Sequence, residues 1–259
     1  MIAFIIQARV GSTRLPNKIL LPFYKEKSIL ELLVEKLSSF SGIPIIIAAP
    51  ANSENDVLET VLKDKNTHIF RGCENDVLDR FVQAAQYYGV DKIIRICSDN
   101  PFLEKNSINL LVQEAKRTNA DYISFNINGK PSIKTHFGFW TEFVTLKALL
   151  QIQAMTNESL YHEHVTNYIY THPENFNIKW LQGPDELNGR TDIRLTIDTE
   201  KDFRTIQKIY TSLTDPANIT ISEIAFFLEK HPDWLLSMQN EIIKNPGFLR
   251  FSIAEDREI

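Results

Sequence analysis

The stretch IIQARVGSTRLPNK, residues 5–18, joins an apolar run to a cationic loop. The apolar run ends at Gln7, and Arg9, Arg14 and Lys18 follow it. In open α/β sheets, ligands bind outside the carboxyl ends of the strands. There, the backbone N–H groups of a tight Gly/Ser turn and nearby basic side chains can hold phosphate groups. The stretch therefore predicts a buried strand followed by a polyphosphate-binding loop.

Two familiar phosphate-binding motifs do not fit this loop. A P-loop requires a second glycine and a Ser or Thr after its lysine, whereas Lys18 is followed by Ile19. The dinucleotide fingerprint requires three glycines, whereas Gly11 is the only glycine before Gly42. A solvated basic loop without a ligand remains the alternative interpretation.

The first 125 residues alternate short β-rich runs with segments of helical spacing. The runs are IAFII, IPIIIAA, THIF, KIIRIC and DYISF, and a capping box formed by Ser28 and Glu31 opens the first helical segment. Strands that are apolar throughout, alternating with helices, are typical of a parallel sheet covered on both faces. The sequence therefore predicts an α/β fold with a mostly parallel central sheet.

The pattern changes after residue 126. Turn residues and aromatic residues mix at about 127–145, which predicts an inserted hairpin. ESLYHEHVTNYIYTH predicts one helix that ends before Pro173, and RLTID predicts a short strand. We expect one α/β domain over residues 1–215, with a helical extension over residues 216–259 packed on it.

Composition limits the classes of function. The chain has 259 residues and a formal net charge of -5, which argues against bulk nucleic-acid binding. The two cysteines, Cys73 and Cys97, form no CxxC pair, as expected for reduced thiols of a cytoplasmic protein. No apolar run approaches the length of about 20 residues needed for a membrane span, and the start does not resemble a signal peptide.

Two aspartates follow predicted strands. Asp99 comes after KIIRICS and Asp198 after RLTI, so both carboxylates are expected beside the cationic loop. Mg²⁺ usually takes one or two protein carboxylates and leaves its other positions to water and phosphate. Turn formation at Asp99 and capping of the next helix near Asp198 are the structural alternatives.

Five segments, in order over about residues 1–210, resemble sugar-acid (acylneuraminate) cytidylyltransferases, most closely the spore-coat polysaccharide biosynthesis branch. They are QARVGSTRLPNKIL, FRGCENDVLDRF, IRICSDNPFL, HEHVTNYIYTHPE and RLTIDTEKDF. The resemblance implies a Rossmann-like nucleotide-diphospho-sugar transferase fold and an Mg²⁺-dependent nucleotidyltransferase. CTP would be attacked at its α-phosphate by the hydroxyl of a sugar or sugar acid, with release of pyrophosphate, for surface polysaccharide or glycan synthesis. Similar enzymes often form homodimers through the inserted hairpin.

The resemblance also implies roles for individual residues. Catalysis would involve Lys18, Arg9, Asp99 and Asp198, with both aspartates binding Mg²⁺. The nucleotide would be bound by Gln7, Ala8, Arg9, Gly11, Ser12, Arg14, Lys18, Arg71, Arg80 and Ser98. The sugar would be bound by Glu142 and His162. Trp140, two residues before Glu142, could stack on a sugar face or fill space.

Several of these positions carry an alternative or a departure from the family. Arg80 could instead pair with Asp76 on a helix surface. The family usually has a glycine where this chain has Ser98 and a second acid where it has Trp140, so the chain departs from the family at these two positions. His162 and His164 are two residues apart, so on one helix they could not share a zinc ion.

Two other functions compete with nucleotidyl transfer. A nucleotide-sugar-dependent glycosyltransferase would normally carry an Asp-x-Asp metal motif, whereas Asp99 lies in Ser-Asp-Asn. A non-catalytic nucleotide-binding relative would be expected to lack the metal carboxylates, and both are present. Some relatives of such folds use GTP, so the loop leaves the choice of nucleobase open.

Overall fold

The computed structural model describes residues 1–245, and the bounds below refer to that part of the chain. The strands are β1 Ile2–Gln7, β2 Pro22–Tyr24, β3 Lys27–Ser28, β4 Ile45–Pro50, β5 His68–Gly72, β6 Lys92–Cys97, β7 Tyr122–Ile127, β8 Lys130–Pro131, β9 Glu142–Thr145 and β10 Ile178–Gln182. The α-helices are α1 Ile29–Ser38, α2 Val57–Val61, α3 Val77–Tyr87, α4 Lys105–Arg117, α5 Leu146–Met155, α6 Ser159–Glu163, α7 Asn167–Thr171, α8 Glu200–Ser212, α9 Ile221–Glu229 and α10 Pro232–Lys244.

The main sheet has the strand order β10-β7-β9-β6-β1-β4-β5, with β8 paired to β7. β9 is antiparallel to both of its neighbours, β8 is antiparallel to β7, and the other pairs are parallel. This arrangement confirms the predicted α/β fold with a mostly parallel sheet. It also sets the carboxyl ends of β1 and β6 side by side, because Gln7 pairs with Cys97.

Helices cover both faces of the sheet, because alternate residues of a strand point to opposite faces. On one face, Phe4 and Ile6 of β1 share a core cluster with residues of α1, α4 and α8. On the other face, Ala3 and Ile5 share a cluster with residues of α3 and α5. The predicted capping box of Ser28 and Glu31 opens α1.

The prediction of a strand at RLTID is wrong. Residues 194–198 pair with no strand of either sheet in the described part of the chain. Instead, the N–H of Leu195 donates to the His136 carbonyl over 2.9 Å and that of Ile197 to the Asp99 carbonyl over 3.0 Å. The apolar side chains of the segment fill the core, which explains the strand-like pattern.

The single helix predicted over ESLYHEHVTNYIYTH is also wrong, because α6 and α7 are separate helices. The break falls at residues 164–166, where Val165 is fully buried in the core. Thr166 is buried as well, and its hydroxyl donates to Glu142 over 2.7 Å. Tertiary contacts therefore override the helical spacing of the sequence.

The predicted insertion at 127–145 contains a short hairpin. Asn128 and Gly129 have φ angles of 51° and 84°, as an Asn-Gly hairpin turn requires, and they connect β7 to the two-residue strand β8. Residues 142–145 do not belong to this hairpin, because they form β9 within the main sheet.

The helices α9 and α10 contribute Ile224, Leu228 and Met238 to the same core cluster as β1. The division into residues 1–215 and 216–259 stays a prediction, and residues 246–259 of that extension lie outside the described residues. Within residues 1–245, no helix combines the length and apolar character that crossing a membrane requires.

Candidate active site

A cavity of about 290 Å³ lies at the carboxyl edge of β1 and β6. Eight residues that the sequence nominated line it: Gln7, Arg9, Ser12, Arg14, Lys18, Ser98, Asp99 and Asp198. We call this cavity the crevice. The fold therefore brings the cationic loop and both predicted metal carboxylates to one place.

The cationic loop folds back on its own first residues. The N–H groups of Ser12 and Asn17 both donate to the Val10 carbonyl, over 2.9 and 3.1 Å. The N–H of Val10 donates to the buried Asn55 side chain over 2.9 Å, which anchors the loop to the segment after β4. A side chain at Gly11 would begin 3.0 Å from a Glu54 carboxylate oxygen, so a residue without Cβ suits this position.

Two cations of the loop contact the two aspartates. Lys18 Nζ donates to Asp99 over 3.1 Å and to the Ile197 carbonyl over 2.6 Å. Arg14 donates to Asp198 over 2.7 Å. Lys18 Nζ also lies 3.9 Å from Asp198 Oδ1, so a single ammonium group approaches both carboxylates. These contacts join segments that are far apart in the chain.

Asp198 is held from below by Arg194, a residue that the sequence did not nominate. Arg194 is almost fully buried, and it donates to Asp198 over 2.8 Å and to both carboxylate oxygens of Asp202. Burial alone would raise the pKa of Asp202, but Arg194 and the N–H groups of Thr199 and Asp198 outweigh it and lower that pKa. The carboxylate that faces the crevice is therefore fixed in position by an ionised pair beneath it.

A second buried network lies beneath the opposite end of the crevice. Arg95 of β6 donates to Glu142 over 2.6 Å and to Gln7 Oε1 over 2.9 Å. The Glu142 carboxylate also accepts hydrogen bonds from the hydroxyl groups of Tyr122 and Thr166. Glu142 is only 2 % exposed, so the structure places it below the crevice.

The ionisable groups that line the crevice end next to this network include Arg95, Cys97, Glu163 and His164. Glu142 neutralises Arg95, and burial lowers the pKa of His164, which favours a neutral imidazole. Burial raises the pKa of the Cys97 thiol to about 11, which keeps the thiol protonated near neutral pH. Apart from Arg95, the Arg and Lys side chains that line the crevice are therefore Arg9, Arg14 and Lys18 of the loop, and Arg14 and Lys18 contact the two aspartates.

Arg71, Arg80 and His162 do not line the crevice. Arg71 donates to the Pro50 and Asn52 carbonyls, and buried Arg80 donates to the Cys73 carbonyl. The alternative pairing of Arg80 with Asp76 is not found as a side-chain ion pair within residues 1–245, where the two residues share only the helical bond from the Arg80 N–H to the Asp76 carbonyl. The Asp76 carboxylate instead caps α3 and contacts His162 over 2.6 Å. A ligand role for these three side chains stays a prediction, and each already has a structural partner.

The other nominated residues occupy the surroundings of the crevice. Ala8 is fully buried at the end of β1. Trp140 is 6 % exposed, stacks on Phe125, and borders a smaller cavity of about 150 Å³ that also reaches Asp99 and Asp198. The predicted contact of Trp140 with the sugar would have to be made in that smaller cavity.

A sequence model of the cytidylyltransferase family matches residues 3–235. The chain belongs to the cytidylyltransferase family. It is 38% identical to an uncharacterized protein of Methanocaldococcus jannaschii over 232 residues. This aligned region covers 88% of this chain and 90% of that protein. It is 32% identical to the spore coat polysaccharide biosynthesis protein SpsF of Bacillus subtilis over 240 residues, a region that covers 90% of this chain and 95% of SpsF.

A solved structure of a cytidylyltransferase from Leptospira borgpetersenii matches with a TM-score of 0.77 and 27% identity, covering 90% of this chain and 96% of that chain. These findings confirm the resemblance drawn from the sequence, together with the fold. They also make the protein a nucleotidyltransferase by family.

The donor set of this cytidylyltransferase suits a divalent cation that keeps most of its ligands from substrate and water. Asp99 and Asp198 both face the crevice, with 32% and 23% of their side chains exposed. Within residues 1–245, no group of three or more His, Cys, Asp or Glu side chains forms a closed metal site. A pair of open carboxylates is what Mg²⁺ commonly uses beside phosphates.

Several residues in or beneath the crevice of the cytidylyltransferase could not be found from the sequence. Arg95 and Arg194 lie inside apolar runs, where a lone charged residue usually marks the solvent face of a strand. Thr166, Tyr170 and His164 belong to a segment whose sequence predicts one helix. This segment breaks at residues 164–166, between α6 and α7, so the directions of the side chains around the break do not follow from helical spacing.

Proposed function

We propose that this cytidylyltransferase uses CTP to activate a sugar or sugar acid for the synthesis of a surface polysaccharide or glycan. One observation carries the proposal: three basic side chains of the loop and two carboxylates meet in one crevice. The family supports CTP as the nucleotide, and the Bacillus subtilis relative supports a role in polysaccharide synthesis.

The reaction needs positioned charge and no covalent enzyme intermediate. The acceptor oxygen bonds to the α-phosphorus of CTP, the bond to the bridging oxygen breaks, and pyrophosphate leaves. Arg9, Arg14 and Lys18 would bind the triphosphate and neutralise the charge that develops on pyrophosphate. Phosphate oxygens would compete with Asp99 and Asp198 for Lys18 and Arg14, which contact these carboxylates over 3.1 and 2.7 Å.

Asp99 and Asp198 would hold Mg²⁺. When bound there, the cation supplies charge neutralisation at the α-phosphate and lowers the pKa of the attacking hydroxyl. Arg194 fixes one of the two carboxylates, and the Ile197 N–H bond to the Asp99 carbonyl links the two segments. The residues of the chain thus set the spacing of the metal ligands before substrate binds.

The sugar is expected beside Trp140 and Glu142, with His162 as a further candidate from the family resemblance. We also infer a cytoplasmic location and a homodimer, and no nucleic-acid or membrane partner. The free thiols of Cys73 and Cys97 are consistent with a reducing compartment.

Thermal unfolding with CTP, UTP, GTP or ATP, each with and without Mg²⁺, tests the proposal. A ligand at 100 times its dissociation constant stabilises the native state by about 2.7 kcal/mol. We expect CTP with Mg²⁺ to give the largest shift, and the Mg²⁺-dependent part to disappear in Asp99→Asn/Asp198→Asn. Asp64→Asn, an exposed substitution, is the control. Stabilisation by nucleoside-diphosphate sugars alone would instead indicate a glycosyltransferase.

A further inference from the structure

The orientation of the Gln7 side-chain amide is fixed by its neighbour. Arg95 Nη2 lies 2.9 Å from Gln7 Oε1. A guanidinium has only donors, so the oxygen of the amide must face Arg95. The group that Gln7 offers to a ligand in the crevice is therefore the Nε2 donor.

Arg95 cannot easily move away from this position. It is 7 % exposed, and its other terminal nitrogen donates to Glu142 over 2.6 Å. Tyr122 of β7 and Thr166 hold that carboxylate in turn. Arg95 is thus locked by groups from the sheet and from the break between α6 and α7.

The backbone of Gln7 is fixed as well. Gln7 pairs with Ala48 of β4 and with Cys97 of β6, at the end of the central strand. The Ser98 hydroxyl donates to the Gln7 carbonyl over 2.7 Å. A side chain whose backbone and amide oxygen are both held presents its donor in one direction, which is the requirement for a specific reader.

The surroundings of Gln7 suit an uncharged part of the substrate. The triphosphate is expected on the loop of residues 9–18, which begins two residues after Gln7. Next to Gln7, the charge of Arg95 is cancelled by Glu142, so a sugar carboxylate would find no free cation there. A nucleobase is neutral, and Gln is a side chain that reads base edges through its amide.

We propose that Gln7, positioned by Arg95, reads the nucleobase and selects CTP over UTP. This inference rests on the proposed nucleotidyltransferase function. Ring nitrogen N3 of cytosine carries no hydrogen and accepts from Gln7 Nε2. The same nitrogen of uracil carries a hydrogen and meets the donor as a second donor. A site built around one hydrogen bond discriminates strongly against a ligand that leaves it unpaired.

Isothermal titration calorimetry with CTP and UTP in Mg²⁺ tests this selection. Gln7→Glu keeps the oxygen that accepts from Arg95 and replaces the donor with an acceptor. Its added negative charge weakens the binding of both nucleotides alike, so the ratio of the two dissociation constants is the readout. We expect that ratio to shift toward UTP by roughly tenfold or more.

Two further variants separate base reading from charge effects. Gln7→Met removes the donor without adding charge and should bring the ratio close to one. Gln86→Glu makes the same chemical change on the exposed face of α3 and should leave the ratio at the wild-type value.

Arg95→Lys tests the positioning role. Lysine keeps a charge for Glu142 but lacks the second donor arm that holds Gln7. The ratio of the CTP and UTP affinities reports base preference, and the mean of the two affinities reports binding of the triphosphate. The variant should reduce the ratio more than it reduces the mean. Gln7→Glu carries the test alone if Arg95→Lys does not fold.

An unchanged ratio in both Gln7→Glu and Gln7→Met would overturn the inference. Wild-type protein that binds neither CTP nor UTP would contradict the proposed function itself, and the inference would fall with it. The two failures are distinct, because the first is seen only in the variants and the second already in the wild type.

Discussion

Arg194 reaches Asp198 from beneath the crevice, with Nη2 lying 2.8 Å from Oδ2, while Arg14 contacts the other oxygen of the same carboxylate from above. Arg194 also bonds twice to Asp202, whose Oδ2 accepts from the N–H of Asp198. The position of Asp198 is therefore set by a guanidinium fork and by its own backbone. A forked cation can hold two carboxylates at once, which an ammonium group cannot do with the same geometry.

Arg194→Lys should lower both stability and turnover. Lysine cannot keep all three bonds, so we expect the free energy of unfolding in urea to fall by about 1–3 kcal/mol. Turnover, measured as pyrophosphate release, should fall more than CTP affinity, because Asp198 loses its fixed position. Arg190→Lys is the control, since Arg190 pairs with Asp192 and Glu229 outside the crevice. Wild-type turnover in Arg194→Lys would remove Arg194 from this role.

Lys18→Ala should weaken CTP binding by roughly tenfold or more, because the crevice loses the cation that approaches both aspartates. Lys18 is only 14% exposed, so its loss also leaves the Ile197 carbonyl without a donor. Calorimetric titration with CTP at two salt concentrations measures the effect, which should be larger at low salt. Lys63→Ala removes an exposed charge elsewhere and serves as the control. Equal CTP affinity in the two variants would contradict the phosphate-binding assignment of the loop.

The sequence predicted the crevice best where its residues directly follow apolar strands. Arg9, Lys18 and Asp99 could be placed because the ends of parallel strands meet at one edge of a sheet. Asp198 was placed correctly for the wrong reason, because its segment is held by single backbone bonds to Asp99 and His136 and lies outside the sheet. Burial of apolar side chains gives the same alternation with or without a strand partner.

The direction of individual side chains could not be predicted in the same way. Arg71 and Arg80 follow the third predicted strand, and nothing in the sequence shows that they bond to nearby carbonyls. Arg95 looks like the solvent-facing residue of a strand, yet it is buried, and its partners are Glu142 of β9 and Gln7 of β1. Such partners lie far apart in the chain, and the sequence alone does not show which distant segments come into contact.

His162 should stabilise the fold in a pH-dependent way. Burial alone would lower the pKa of His162, but the Thr156 carbonyl and the Asp76 carboxylate outweigh it and raise that pKa above 6.5. A raised folded-state pKa gives stability that is present below the unfolded pKa and is lost as pH rises through the folded one.

We therefore expect His162→Gln to cost about 1 kcal/mol near pH 5.5 and less near pH 9, measured by urea unfolding. His68→Gln, at an exposed position on β5, is the control. A cost that is the same at both pH values would contradict the ion pair with Asp76. A raised KM for the acceptor sugar with unchanged stability would instead support the sugar contact implied by the family resemblance.

Glu142→Gln distinguishes a direct sugar contact from a supporting role. The Glu142 carboxylate is buried and already accepts from Arg95, Tyr122 and Thr166. Removing its charge leaves the buried guanidinium of Arg95 without a counterion, and breaking a buried pair typically costs about 3–5 kcal/mol. We expect urea unfolding to show a loss of this order, whereas Glu174→Gln at the surface should change little.

The loss should be smaller when both partners of the pair are replaced. Glu142→Leu/Arg95→Met leaves no unpaired charge, so its cost should be less than the sum of the two single substitutions. Additive costs would mean that the pair does not act as a unit. A Glu142→Gln variant as stable as the wild type, with a raised KM for the acceptor, would show that the carboxylate binds the sugar. The observed contacts favour a loss of stability in Glu142→Gln over a direct sugar contact, because a carboxylate with three internal donors has little capacity left for a ligand.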